Sequence, residues 1–127
     1  MSISTHKRLT IALGLACIGL LLLAGRLFWS EASLTIRLAL ADDQTKIFEE
    51  MRTSALQGNP SEAAGLLRYV VRYYPSGSKQ ESGSRLNRMV ERARQSAVRD
   101  IIAYLRIKTG QDLGDSPQAW IEKFAPE

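Results

Sequence analysis

The chain has 127 residues, of which 45% are hydrophobic and 24% charged, and its formal net charge is +4. This length allows one small domain and a membrane anchor, but not two full domains. Cys17 is the only cysteine and His6 the only histidine. The sequence therefore lacks the residues for an intramolecular disulfide or a Cys-His or Ser-His-Asp nucleophile system within a folded domain, and it has no P-loop or dinucleotide fingerprint. We expect no enzyme activity, no cofactor and no metal site.

The first element is an uncharged segment from residue 9 to residue 25. As a helix it spans about 26 Å, slightly less than the ~30 Å hydrocarbon core of a bilayer. The helix can extend to Trp29 if the Arg26 side chain reaches the headgroups. We predict a basic tail at 1–8, a transmembrane anchor at 9–29, a juxtamembrane connector at 30–41 and a small α-helical domain at 42–127. The predicted membrane-interface residues are Lys7, Arg8, Arg26 and Trp29.

Three other interpretations of this segment stay open. A cleaved signal peptide has a shorter apolar region, of about 7–15 residues, and the best small-residue cleavage site here, 39–41, lies far downstream. A lipoprotein site at Cys17 lacks the usual leucine, since Gly14 takes its place. A buried helix of a soluble protein normally keeps a polar face, which this segment lacks. The short basic tail favours an N-terminus in the cytoplasm and a domain outside it, in a bacterial inner membrane.

The connector has a strand-like alternation of Leu34, Ile36, Leu38 and Leu40 with smaller or polar residues. A lone strand is not stable and no second strand is evident, so we interpret this stretch as a helix or connector.

A helix is predicted from Asp42 to Leu56, with acidic residues at its start and Gly58 after its end. A second helix begins with the capping-box pattern Asn59-Pro60-Ser61-Glu62. It carries apolar residues as far as Tyr74, and Pro75-Ser76-Gly77 ends it.

The longest helix outside the anchor runs to Thr109 and stops at Gly110. Its start is either the second capping-box pattern, Ser78-Lys79-Gln80-Glu81, or Ser84 if Gly83 delays it. A short last helix follows Ser116-Pro117. Its apolar residues Trp120, Ile121 and Phe124 can pack back onto the core. The predicted fold class is all-α, a single transmembrane helix followed by a domain of three or four helices with antiparallel neighbours.

An arginine stripe is the most distinctive surface pattern of the domain. At 100° per residue its members fall within an arc of about 60° on the long helix, away from the apolar face. Residues 79–108 contain eight basic and three acidic residues. Such a stripe is a candidate site for an anionic protein or lipid surface, or a solvated face that binds nothing; nucleic acid is the less favoured partner, since no aromatic residues interleave. The arginine stripe consists of Arg85, Arg88, Arg92, Arg99 and Arg106.

Other polar clusters have simpler interpretations. Asp112 and Asp115, with Glu122 nearby, lie in a Gly-containing segment that could hold Ca²⁺, but a turn and helix cap explain them better. Glu49 and Glu50 are more plausible as partners of Lys46, Arg52 or other basic neighbours than as an acid/base pair. The tyrosines at 69, 73 and 74 fit core packing with hydroxyl groups at the surface.

Two segments resemble helical-repeat proteins. Residues 58–64, followed by Tyr73-Tyr74-Pro75-Ser76-Gly77, resemble one tetratricopeptide-like hairpin. Residues 109–114 with Pro117 and Trp120 are similar to a tail of bacterial repeat proteins of the HEAT type. The two segments cover about half of the soluble part, and one unit is too few for a stable solenoid. The resemblance implies protein–protein interaction and transfers no catalytic residue.

The sequence thus supports a leading hypothesis and two alternatives. The leading hypothesis is a membrane-tethered interaction or scaffolding module with a protein partner, bound to the bilayer through residues 9–29. The alternatives are a module that binds anionic lipid or an acidic partner through the arginine stripe, and an enzyme with an unrecognised site.

Overall fold

The computed structural model describes residues 3–73 and 83–127. The described residues form four helices and no strand: α1 (Ile3–Gln57), α2 (Pro60–Tyr73), α3 (Arg85–Thr109) and α4 (Pro117–Phe124). The chain divides into two compact units, Met1–Ile36 and Arg37–Glu127, and α1 contributes to both. The all-helical prediction is confirmed in this described part. Tyr74, the Pro75-Ser76-Gly77 break and the pattern at 78–81 lie outside it.

The first unit is an apolar stretch of helix with exposed side chains. An 18-residue window has a mean hydropathy of 2.3, and none of it is buried. Leu21 is 73% exposed and Trp29 is 76% exposed. By length and composition α1 could therefore cross a membrane, a test that a signal sequence also passes.

The predicted helix start at Asp42 is wrong, because α1 is continuous through residues 30–41. No Gly or Pro occurs between Arg26 and Gln57, so nothing in the covalent chain interrupts the helix. The hydroxyl of Thr35 donates to the carbonyl of Glu31 at 3.0 Å, which satisfies this polar side chain within the helix. The strand-like alternation therefore occurs on a helix.

Asp42 consequently lies inside α1 and not at a helix N-terminus. Its carboxylate forms an exposed ion pair with Lys46 at 2.7 Å, one helical turn onward. Exposed pairs of this spacing contribute only a few tenths of a kcal/mol.

The second helix begins as its sequence predicts. The backbone N–H of Glu62 donates to the Asn59 side chain at 2.9 Å, and the Glu62 carboxylate accepts from the Asn59 backbone N–H at 3.1 Å. Each residue satisfies a donor that the helix leaves free. A Cβ at Gly58 would lie 2.8 Å from the Glu62 carboxylate, so glycine there leaves room for this cap.

The long helix α3 has a defined cap at each end. The hydroxyl of Ser84 accepts from the backbone N–H of Asn87 at 3.1 Å, which confirms the alternative that Gly83 delays the start. At the other end Gly110 has a φ of 65°, a left-handed conformation that suits glycine.

The second unit packs around α2, which contacts both α3 and α4. The Arg94 side chain reaches the carbonyl of Val71 near the end of α2, and the Tyr104 hydroxyl donates to the carbonyl of Gly58 just before its start. The helices α2 and α3 are therefore antiparallel, as short connections predict. The largest fully buried side chains are Phe48, Leu67, Val70, Ile101, Leu105 and Trp120.

Trp120 closes the core from α4. It is 0% exposed, and its Nε1–H donates to the carbonyl of Gly114 at 2.9 Å. Ile121 and Phe124 pack against the same core with part of their surface exposed. This confirms the prediction that the last helix folds back onto the domain.

Replacing Trp120 by Ala removes the largest buried ring and leaves a cavity, so we expect a loss of about 3–5 kcal/mol in the free energy of unfolding. Trp120→Phe keeps an aromatic ring but loses the hydrogen bond, and should lie between wild type and Ala. Ile107→Ala is the control, because Ile107 is 80% exposed. Urea unfolding of the full chain in detergent, followed by circular dichroism, measures all three; equal stability of Trp120→Ala and the control would refute this packing.

Candidate functional site

The arginine stripe lies on the solvent side of α3, opposite the buried residues Val90, Ala97 and Ile101. Arg85, Arg92 and Arg99 are exposed and form no ion pair with any residue in the described ranges. A line of cations on one side of a helix raises the local concentration of anions. Binding by this stripe stays a prediction.

Two other members of the arginine stripe have partners within the chain. Arg88 donates to the carbonyl of Gly83, next to the N-cap of α3. Arg106 donates to Asp112 at 2.9 Å and to Asp115 at 2.6 Å. The loop after α3 thus folds back along the helix and neutralises this end of the arginine stripe. The sequence pattern on α3 alone contains no sign of this contact.

The same loop explains the acidic cluster. The side chain of Asp112 accepts the backbone N–H of Gly114 at 3.0 Å, a hydrogen bond that forms a turn. This bond and the Arg106 guanidinium lower the pKa of Asp112, because both stabilise the carboxylate. Within residues 3–73 and 83–127 no three His, Cys, Asp or Glu residues are placed to hold a metal ion.

A groove of about 500 Å³ lies beside the arginine stripe, where α2, α3 and α4 meet. Its apolar floor is formed by Val71, Val98 and Pro117, one residue from each helix, and its rim is polar. Amino-acid spacing on one helix could not predict this groove, because it forms only when α4 packs. The rim consists of Glu91, Arg94, Gln95, Arg99 and Gln118.

Glu91 and Arg94 form an ion pair at the rim that is held by two hydrogen bonds. Arg94 donates from Nε at 3.0 Å and from Nη2 at 2.7 Å to the two oxygens of Glu91. Its Nη1 donates to the carbonyl of Val71 at 3.3 Å, and so caps the last turn of α2. The guanidinium lowers the pKa of Glu91 by hydrogen bonding. The i, i+3 spacing allows this pair on one helix, whereas its contact with α2 depends on how the two helices pack.

A second ion-pair network joins α1 to α3. Arg52 donates to Glu49 at 2.5 Å and to Asp100 at 2.9 Å. Both carboxylates raise the pKa of Arg52. Glu49 is therefore the partner of a basic neighbour, as the sequence predicted, and Glu50 lies exposed beside it.

The tyrosines of α2 form a surface stack. The ring centroids of Tyr69 and Tyr73 are 4.3 Å apart, and the ring planes are 29° from parallel. With Gly65, Arg68 and Arg72 they line a shallow depression. The predicted core packing is only partial, since Tyr69 is 41% exposed.

The predicted membrane-interface residues Lys7, Arg8, Arg26 and Trp29 all lie exposed on α1, in the first unit. His6 and Cys17 lie on the same stretch of helix. Both side chains are exposed, and neither is a member of the buried core cluster.

Comparison with known proteins identifies no relative, since no family model, curated protein or solved structure matches the chain. The resemblance to helical-repeat proteins gains no support from these comparisons.

Replacing Arg94 by Ala removes the ion pair and the cap on α2, and leaves Glu91 half-buried without its cation. We expect a loss of about 1–3 kcal/mol in the free energy of unfolding. Arg94→Lys keeps the charge but not the two parallel hydrogen bonds, and should restore less than half of this loss. Chemical denaturation of both variants tests the assignment, and full stability of Arg94→Ala would contradict it.

The carboxyl of Asp112 should titrate below its ordinary pKa of about 3.9. A folded-state pKa below the unfolded value means that the carboxylate favours folding above the unfolded pKa, and that this contribution disappears as pH falls through the folded pKa. The carboxyl chemical shift of Asp112 followed by NMR between neutral and acid pH measures the folded pKa. Arg106→Gln should move the pKa upward, whereas an unchanged titration would exclude the contact.

Proposed function

We propose that the chain is a single-pass membrane protein whose helical domain recruits a protein partner to the membrane surface. The observation that carries this proposal is the exposed apolar stretch of α1, which is continuous with the helix that supplies Phe48 and Ala55 to the domain core. Lipid is the solvent that such a stretch requires, and water is the solvent that the charged domain requires.

The energy of insertion supports the tether. Nine Leu or Ile residues lie between residues 9 and 25. At roughly −0.5 kcal/mol each near the bilayer centre they contribute about −4 kcal/mol. The anchor occupies residues 9–29, with Lys7 and Arg8 on the cytoplasmic side and the domain outside, in a bacterial inner membrane.

The domain acts by binding and not by catalysis. Its surface displays helix faces, an arginine stripe and shallow grooves, and a tether raises the local concentration of any partner at the membrane. A second candidate, favoured by the three exposed arginines on one face of α3, is attachment to an anionic lipid surface.

The orientation is tested with single cysteines in a Cys17→Ser background. A cysteine at exposed Gln111 should react with a membrane-impermeant maleimide on intact spheroplasts, whereas one at Ser2 should react only after lysis. The reverse pattern would place the domain in the cytoplasm.

Recruitment is tested by photo-crosslinking of the full chain in its native membranes. A benzophenone amino acid at Arg92, at Gln95 or at the matched exposed position Glu50 on α1 samples two faces of the domain. We expect a discrete protein adduct from at least one face of the domain. Adducts with lipid alone, or none from any of the three positions, would refute the interaction module.

A further inference from the structure

The groove between α2, α3 and α4 combines an apolar floor with a net positive charge. Its floor residues Val71, Val98 and Pro117 come from three helices, so the concavity depends on the fold and not on the conformation of one side chain. Its volume of about 500 Å³ lies within the range of ligand sites, roughly 300–1,000 Å³.

Glu91, the one carboxylate among the described residues of the lining, is already engaged. Glu91 accepts two hydrogen bonds from Arg94 and one from the Gln95 side chain at 3.2 Å. The Nε, Nη1 and Nη2 groups of Arg94 each have an acceptor in Glu91 or Val71. Glu91 and Arg94 therefore cancel in charge and leave the groove with the positive charge of Arg99.

Arg99 joins the groove to the arginine stripe. It lines the groove and is exposed, and it forms no ion pair within residues 3–73 and 83–127. Arg92 lies two turns before it on the same face of α3. An occupant of the groove thus meets the apolar floor and the Arg99 guanidinium, and the arginine stripe continues from Arg99 to Arg92 outside the groove.

From this combination we infer that the groove binds a peptide segment of the partner protein in which an aliphatic side chain lies next to a carboxylate. The aliphatic side chain covers the floor, and the carboxylate pairs with Arg99, where a guanidinium can donate two parallel hydrogen bonds. For the peptide backbone the rim offers the side-chain oxygen of Gln95 and the side-chain N–H groups of Gln118, since Gln95 Nε2 already donates to Glu91 and Gln118 Oε1 already accepts from Ser116. The inference rests on the proposed function, because it names the chemistry of the recruited partner.

The concavity favours a peptide over a lipid surface. A headgroup layer would contact the exposed arginines but would leave the apolar floor uncovered. A side chain that projects from a peptide fills a recess of this kind, and apolar contact with polar groups at the rim is the usual composition of a binding pocket.

The test uses the full chain in nanodiscs of zwitterionic lipid and a bead-displayed library of short random peptides, with empty nanodiscs for counter-selection. Enriched peptides should pair Leu, Ile or Val with an adjacent Asp or Glu. Arg99→Glu should weaken the selected peptide about tenfold, the effect expected of reversing one partly exposed charge pair. Arg85→Glu, the same charge change on the same face but outside the groove, should weaken it less than about twofold.

A second variant distinguishes a loss of binding from a loss of folding. Gln118→Glu puts a negative charge in the first turn of α4, where it favours the helix, yet it should repel the carboxylate of the peptide. Weaker binding by both Arg99→Glu and Gln118→Glu, with thermal unfolding unchanged, supports the inference.

Four outcomes would overturn it: enrichment of basic or purely polar peptides, an equal loss with Arg85→Glu, full binding by Gln118→Glu, or binding to phosphatidylglycerol vesicles without any peptide enrichment. These results separate the two proposals. A partner adduct in native membranes with no acidic peptide selected would leave the interaction module standing and remove the groove as its site. No adduct and no selected peptide would remove both.

Discussion

The apolar stretch of α1 places a large aliphatic surface where the chain itself does not cover it, and removal of this surface from water is favourable. Leu13, Leu21 and Leu22 are each about two-thirds exposed or more, and no described residue covers them. A folded monomer in water rarely displays so long an apolar surface, because each buried CH₂ would gain roughly 0.8 kcal/mol. A lipid bilayer satisfies this requirement without any partner protein. The helix that carries this surface also supplies Phe48 to the core of the second unit.

Apolar packing and polar contacts stabilise different parts of the second unit. Apolar side chains from all four helices form the core, and Trp120 from α4 is fully buried among them. Polar side chains then connect the helices at their edges: Arg52 joins α1 to α3, and Arg94 joins α3 to the end of α2. Arg106 similarly holds the loop before α4 through Asp112 and Asp115. Several arginines of this basic chain are therefore structural, which narrows the candidate binding surface to Arg85, Arg92, Arg99 and the adjoining groove.

The ends of several helices could be predicted from the sequence because the contacts that define them lie within a few residues. The Asn59–Glu62 capping box, the Ser84 cap and the Gly110 stop all depend on contacts with near neighbours. The prediction that a helix starts at Asp42 was wrong. Acidic residues favour a helix N-terminus but do not create one, and no Gly or Pro between Arg26 and Asp42 interrupts the preceding helix. The ion pairs of Arg106 with Asp112 and Asp115 could not be predicted, since they depend on how the loop after α3 folds back. The groove could not be predicted either, since it depends on where α4 packs. A periodic stripe therefore located the exposed face of α3 but not which of its arginines have partners.

The most direct measurement of the tether is alkaline extraction of membranes from cells that express the whole chain, with mass spectrometry of the product. Insertion predicts a polypeptide of full length that stays in the pellet after the wash and enters solution only with detergent. A full-length polypeptide in the supernatant would contradict insertion. A product shortened by its first few dozen residues would contradict it as well, because the apolar helix would then be a removed signal.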